Sequence, residues 1–161
     1  MKKLDKTYDL STILIEIDFI IKQYGWWEDS QISLQSPDGD WHSGVGHSST
    51  KGVKETDFNA LNTSDHWELT KFIKENNLYK TRILKLKPHK CYSYHQDWSP
   101  RIHLAVITHP HCFIIEDGQL LHIPADSHPY LVDTTKSHTA LNCSTNLERI
   151  HIVGCVKKEN I

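Results

Sequence analysis

From residue 79 onward the chain breaks into short extended segments separated by turn residues. That rhythm restricts the second half to a layered or closed β architecture. Alternating apolar and polar positions predict strands over 80–87, 91–95, 101–108, 112–116, 119–123, 130–133, 138–143 and 149–156. Asp117-Gly118 lies between two apolar runs, a two-residue hairpin signal because both residues accept positive φ. About eight such strands suit a double-sheet jelly roll.

The first half reads differently. Ile13, Leu14, Ile17, Ile20 and Ile21 recur at helical spacing and predict a helix over 10–23, with Asp9 or Ser11 as its cap and Gly25 as its end. A short strand is expected over 31–35. A second helix is expected over about 65–76, with Ser64 as cap and Trp67, Leu69, Phe72 and Ile73 as its apolar side. The expected architecture is mainly β (α+β): a jelly-roll barrel with the N-terminal helices packed on one sheet. A single domain is expected over 1–161, its helical part at 1–78 and its jelly-roll core at 79–157.

Strand parity says which sheet face does chemistry. On 101–108, Arg101, His103 and Ala105 share one face, and Ile102, Leu104 and Val106 the other. On 149–156, Arg149, His151 and Val153 oppose Ile150, Ile152 and the small Gly154. His138, Ala140 and Asn142 likewise share a face. The aliphatic faces are expected against the helices and the polar faces around a site.

Among the 12 histidines, spacing singles out His95-Gln96-Asp97, followed later by His138. His95 and Asp97 are two apart and can point the same way from a strand end. Two imidazoles and one carboxylate can occupy one face of an octahedral ferrous ion and leave three positions open, whereas four closed ligands would mark a structural metal. Arg149 is the natural anchor for the far carboxylate of 2-oxoglutarate, since its planar fork matches a carboxylate. Arg101 and His103 follow the metal motif on one strand face. They can serve the cosubstrate's other carboxylate or the substrate's own.

Longer stretches strengthen this reading. Leu86-Lys87-Pro88-His89-Lys90-Cys91-Tyr92-Ser93-Tyr94-His95-Gln96-Asp97, Arg101-Ile102-His103-Leu104, Ile123-Pro124-Ala125, Asp133-Thr134-Thr135, His138-Thr139-Ala140-Leu141-Asn142 and Glu148-Arg149-Ile150-His151-Ile152-Val153 occur in this order. Together they resemble the aspartyl/asparaginyl β-hydroxylase family of iron- and 2-oxoglutarate-dependent oxygenases, which includes hydroxylases of free proline. The resemblance covers about 81–156. It implies a double-stranded β-helix, Fe(II) held by His95, Asp97 and His138, 2-oxoglutarate held by Arg149 with help from Arg101 and His103, and hydroxylation of an amino acid, peptide side chain or related small molecule. One departure is that His89 stands where the family has the glycine of a Pro-Gly turn. A glycine-type backbone angle would strain a histidine there.

Other readings remain open at this point. His138-x-x-x-Asn142 echoes a cupin motif and suggests a metal-dependent isomerase or dioxygenase, although His95-Gln96-Asp97 lacks the H-x-H pair that cupins usually carry. A jelly roll that binds a small ligand without reacting is the non-enzymatic rival. The loop 38–47 is a candidate substrate cover, with Trp41 and His42 as candidate contacts, and an ordinary surface loop is the plainer reading. Trp26-Trp27 is expected to pack under the first helix, and His109 and His111 to be surface groups in a turn. Cys91, Cys112, Cys143 and Cys155 form no C-x-x-C pair and are expected to be reduced, mostly small core residues.

Bulk properties narrow the partners. Eighteen basic against 20 acidic residues leave a formal charge of −2, so no strong field favours nucleic acid or an anionic membrane. The charged start has no apolar run behind it, which predicts no secretory leader and a cytoplasmic setting. The expected partner is a small molecule or peptide.

Overall fold

The structure is a computed structural model that describes residues 1–43 and 53–160. Helix α1 (Leu10–Tyr24) starts at Asp9, whose carboxylate accepts from the backbone N–H of Ser11 and Thr12, and stops at Gly25 with φ +73°. Helix α2 (Glu68–Glu75) is shorter than its apolar pattern predicts. Its first free N–H groups, those of Glu68 and Leu69, donate to the Glu16 carboxylate of α1 at 2.8 and 3.0 Å. Ser64, the expected cap, contributes its carbonyl, which accepts from Trp67 N and from Thr70 Oγ1.

The strands are β1 (Lys2–Lys3), β2 (Gln31–Ser33), β3 (Gln35–Ser36), β4 (Ala60–Leu61), β5 (Tyr79–Leu86), β6 (Lys90–Cys91), β7 (Arg101–Ile107), β8 (Cys112–Glu116), β9 (Gln119–Leu121), β10 (Pro129–Val132), β11 (His138–Asn142) and β12 (Arg149–Cys155). A six-stranded antiparallel sheet runs β1-β10-β7-β12-β5-β2, and a four-stranded antiparallel sheet runs β6-β11-β8-β9. From β5 to β12 the chain passes back and forth between these two sheets, with β8 and β9 joined as a hairpin on the smaller one. That winding is a double-stranded β-helix, the jelly roll expected from the strand rhythm. Asp117 and Gly118 make the β8–β9 turn with φ +51° and +77°.

Two apolar clusters follow from the strand parity. Behind the large sheet, Ile83, Ile102, Leu104, Ile150 and Ile152 meet Ile13, Ile17 and Ile20 of α1 and Leu69, Phe72 and Ile73 of α2. Between the sheets lies a smaller cluster that includes Leu86, Ala105, Ile114, Val132 and Ala140. Gly154 is small because a Cβ there would come within 2.7 Å of Leu78 Cδ1 and Thr81 Oγ1. The four cysteines are free thiols. Cys112 and Cys155 are buried, whereas Cys91 and Cys143 are exposed, so only two of the four are core residues. No helix among the described residues is long and apolar enough to cross a membrane.

Candidate metal centre

The predicted strand over 91–95 is paired only in part. β6 ends at Cys91, Tyr92 N still donates to the Ala140 carbonyl, and His95 then pairs directly with His138. Their reciprocal backbone bonds are 3.0 and 2.8 Å, and this pairing brings the two rings to 4.4 Å between centroids. Two residues on, Asp97 N donates to the Thr134 carbonyl at 2.8 Å, which fixes the carboxylate beside the pair. The triad therefore comes from two neighbouring chain segments at one end of the barrel. Its ligand atoms all lie within 4.8 Å of one another. Asp97 is 3.7 Å from His95 Nε2 and 3.5 Å from His138 Nε2.

Hydrogen bonding sets the tautomers. His95 Nδ1 lies 2.6 Å from the Ser93 carbonyl and His138 Nδ1 3.0 Å from the Lys136 carbonyl. A carbonyl only accepts, so Nδ1 carries a proton in both rings, and Nε2 is the nitrogen that faces Asp97 and is left for a metal. Burial pushes the Asp97 carboxyl upward, but the contact with His138 and the Arg101 charge outweigh it and hold Asp97 well below the usual carboxylate range. The donor set is two imidazole nitrogens and one carboxylate oxygen, which fits a hard-to-borderline divalent ion such as Fe(II) and leaves positions open.

These groups line a cavity of about 710 Å³ between the two sheets, in the size range of small-molecule sites. Arg149 is 1% exposed, and its Nε and Nη1 have no hydrogen-bond partner. Burial lowers its pKa, which is the electrostatic signature of a cation without a counter-ion. His103 also lines the cavity, with Nδ1 unpaired, and burial followed by the Arg149 charge holds it neutral. Arg101 is placed differently from these two. Its Nη2 lies 3.1 Å from Asp97 and 3.2 Å from Glu55, while its Nε and Nη1, like those of Arg149, have no hydrogen-bond partner.

The substrate candidates Trp41 and His42 sit elsewhere. Trp41 stacks on Tyr24 of α1 at 4.4 Å and packs against the helix-side core, and His42 Nε2 reaches the Gly25 carbonyl at 3.3 Å. Neither lines the cavity. The remainder of that loop, 44–47, lies outside the described residues. Trp26 packs as expected, but Trp27 lines the cavity, as does Trp98, which is 91% exposed. Asn142 is buried and donates to the Leu86 and Leu147 carbonyls, so the H-x-x-x-N echo is a structural staple away from the metal ligands. His109 Nε2 faces Cys112 Sγ at 3.1 Å, and His111 is exposed.

Three cavity residues escaped the sequence reading. Glu55 accepts from Ser99 Oγ and pairs with both Arg101 and Lys80. Arg82 lines the cavity from the middle of β5. The available signal was parity: Lys80 and Arg82 share the face of Leu84 and Leu86, which points between the sheets.

No family model and no curated protein matches the chain. Among solved structures it is similar to a cupin 2 domain-containing protein from Halorhodospira halophila, at 12% identity over 48% of this chain and 51% of that one, with a TM-score of 0.38. It is also similar to a predicted oxalate decarboxylase from Thermotoga maritima, at 18% identity over 53% of this chain and 74% of that one, with a TM-score of 0.38. The chain spans about half the length of the Halorhodospira protein. The fold assignment rests on the strand order itself, a jelly roll, and the described residues include a His/Asp/His group able to hold a metal.

Proposed function

We propose that the protein is an Fe(II)- and 2-oxoglutarate-dependent dioxygenase that hydroxylates a C–H bond of an amino acid, peptide side chain or related small molecule. The observation that carries this reading is the pairing, in one cavity, of an open three-ligand site with the unpartnered buried guanidinium of Arg149. A buried cation left without a partner is costly, and a bidentate carboxylate is its best complement.

The assigned roles follow from the contacts. His95, Asp97 and His138 hold the metal, with the Ser93 and Lys136 carbonyls fixing ring orientation. Arg101 keeps Asp97 ionised and aimed. Arg149, with His103 beside it, receives the far carboxylate of 2-oxoglutarate. Bound iron and cosubstrate supply the oxidising power, and succinate and CO2 leave as products. The residues of the chain supply placement and a sheltered volume for the target bond.

Adding ferrous iron and 2-oxoglutarate to the protein in air is expected to yield succinate, and the matching amino acid or peptide to accelerate it with a one-oxygen mass gain. Asp97→Ala is expected to abolish succinate release and weaken iron binding at least tenfold. Arg149→Gln is expected to raise the 2-oxoglutarate requirement by a similar factor. Turnover of a small acid with no need for 2-oxoglutarate would favour the cupin-type isomerase or dioxygenase. Binding of 2-oxoglutarate without any turnover would favour a ligand-binding jelly roll.

A further inference from the structure

We propose that Arg82 forms a second anion subsite in the cavity and that the molecule to be hydroxylated is held there by a free carboxylate. The inference rests on the dioxygenase reading above for the identity of that molecule, and on geometry for the site itself.

The cations of the cavity divide into two kinds. Lys80 and Arg101 share the Glu55 carboxylate at 3.1 and 3.2 Å, and Arg101 also meets Asp97. Arg149 and Arg82 have no carboxylate partner among the described residues. Arg82 Nη1 donates to the neutral amide oxygen of Gln31 at 3.2 Å, and its Nε is buried without a partner. A structural pin for the edge strand β2 would need only the Gln31 bond. Arg82 lines the cavity, and that bond occupies only its Nη1.

Arg82 and Arg149 are separate sites. In the large sheet Arg82 stands opposite Val153, and Val153 opposite His103, while Arg149 stands opposite Leu86. Arg149 and Val153 are four residues apart on β12, so the two arginines start from backbone positions about 13 Å apart along the strand direction. Their surroundings differ in part: Arg101 and Asp97 act on Arg82, Cys112 acts on Arg149, and Tyr92 acts on both. One short diacid anchored at Arg149 and chelated at the metal therefore leaves Arg82 without an ion-pair partner.

The charge and the planar fork select the ligand class. Arg82 presents a cation with no ion-pair partner among the described residues and a planar set of donors. A carboxylate, an anion with two coplanar oxygens, matches both. The subsite lies on the side of the cavity formed by Gln31 and Trp27.

The test uses the full chain loaded with Mn(II) and 2-oxoglutarate without oxygen, so that binding is read without turnover. The probes are the free L-amino acids and simple monocarboxylic acids, each beside its carboxamide, with phosphomonoesters as a further set, followed by thermal melting and then by calorimetric titration. At least one acid is expected to bind at least tenfold more tightly than its amide. Arg82→Gln is expected to erase that preference, and Arg82→Lys, which keeps the charge but loses the fork, to retain part of it. Equal binding of acid and amide, no binding by any acid of the panel, preference for phosphomonoesters, or an unchanged preference in folded Arg82→Gln would each overturn the proposal. The acid–amide comparison in the unaltered protein needs no folded variant. 2-Oxoglutarate alone is titrated in parallel. Its failure to bind would count against the dioxygenase reading, while an acid preference that depends on Arg82 would still assign the subsite.

Discussion

His89 takes a left-handed backbone conformation, φ +56°, in the turn between β5 and β6. The strain expected of a histidine at a glycine-type backbone angle is thus present. A β-carbon in this region costs about 1–2 kcal/mol, partly offset by the smaller conformational entropy that histidine loses on folding. His89→Gly is therefore expected to stabilise the protein by about 0.5–1 kcal/mol, seen as a higher urea midpoint at unchanged slope. A lower midpoint would mean that the exposed imidazole makes a stabilising contact. His95 and His138 show the opposite case, in which one local contact, Nδ1 to a carbonyl two residues earlier, decides which nitrogen each ring offers.

At the scale of elements, α2 depends on a side chain from another helix. Glu16 is buried on α1, and its two oxygens satisfy the N–H groups of Glu68 and Leu69. A charged acceptor on free helix N–H groups is worth about 1.5–3 kcal/mol. Glu16→Ala is expected to lower stability by about 2 kcal/mol and to raise hydrogen exchange in the first turn of α2 above that of the sheets. Equal exchange would show that the apolar side of α2 holds that turn without its cap. β12 has its own constraint at Gly154, where the space for a methyl group is taken by Leu78 and Thr81. Gly154→Ala is expected to cost about 1–3 kcal/mol through overpacking, measurable in the same urea experiment, and an unchanged midpoint would mean that Leu78 can turn aside.

For the whole molecule, stability should depend on acid through the rings under the large sheet's inner face. His151 is buried with neither nitrogen bonded, and it packs edge to face with His103 at 5.9 Å. Burial, then the Arg149 charge, pushes its pKa well below 6.5. The folded ring therefore stays neutral while the unfolded one takes up a proton as the pH falls past about 6.5. Its stabilising contribution is complete above that pH and declines below it, by about 1.4 kcal/mol per pH unit. Urea unfolding of metal-free protein from about pH 7.5 to pH 5.5 should show this decline, and His151→Leu should remove about 1.4 kcal/mol per pH unit of the slope. An unchanged slope in that variant would assign the acid sensitivity to other groups.

The sequence by itself determined what local chemistry can encode. Helix α1 with its Asp9 cap, the Asp117-Gly118 hairpin, the strands of the second half near their observed bounds apart from the one over 91–95, and the inward parity of Arg101, His103, Arg149 and His151 were all legible. The reason is that periodicity and turn residues act over a few positions. Parity also made the His95, Asp97 and His138 cluster readable, since H-x-D on an extended segment already puts two ligands on one side. Only the tertiary structure decided what crosses the chain. It paired Arg101 with Glu55 from 46 residues away and left Arg82 and Arg149 without carboxylates. It capped α2 with Glu16, and it set Trp41 and His42 against α1 instead of the cavity. A charge's partner is chosen by the three-dimensional packing of distant segments, and no spacing along the chain records it.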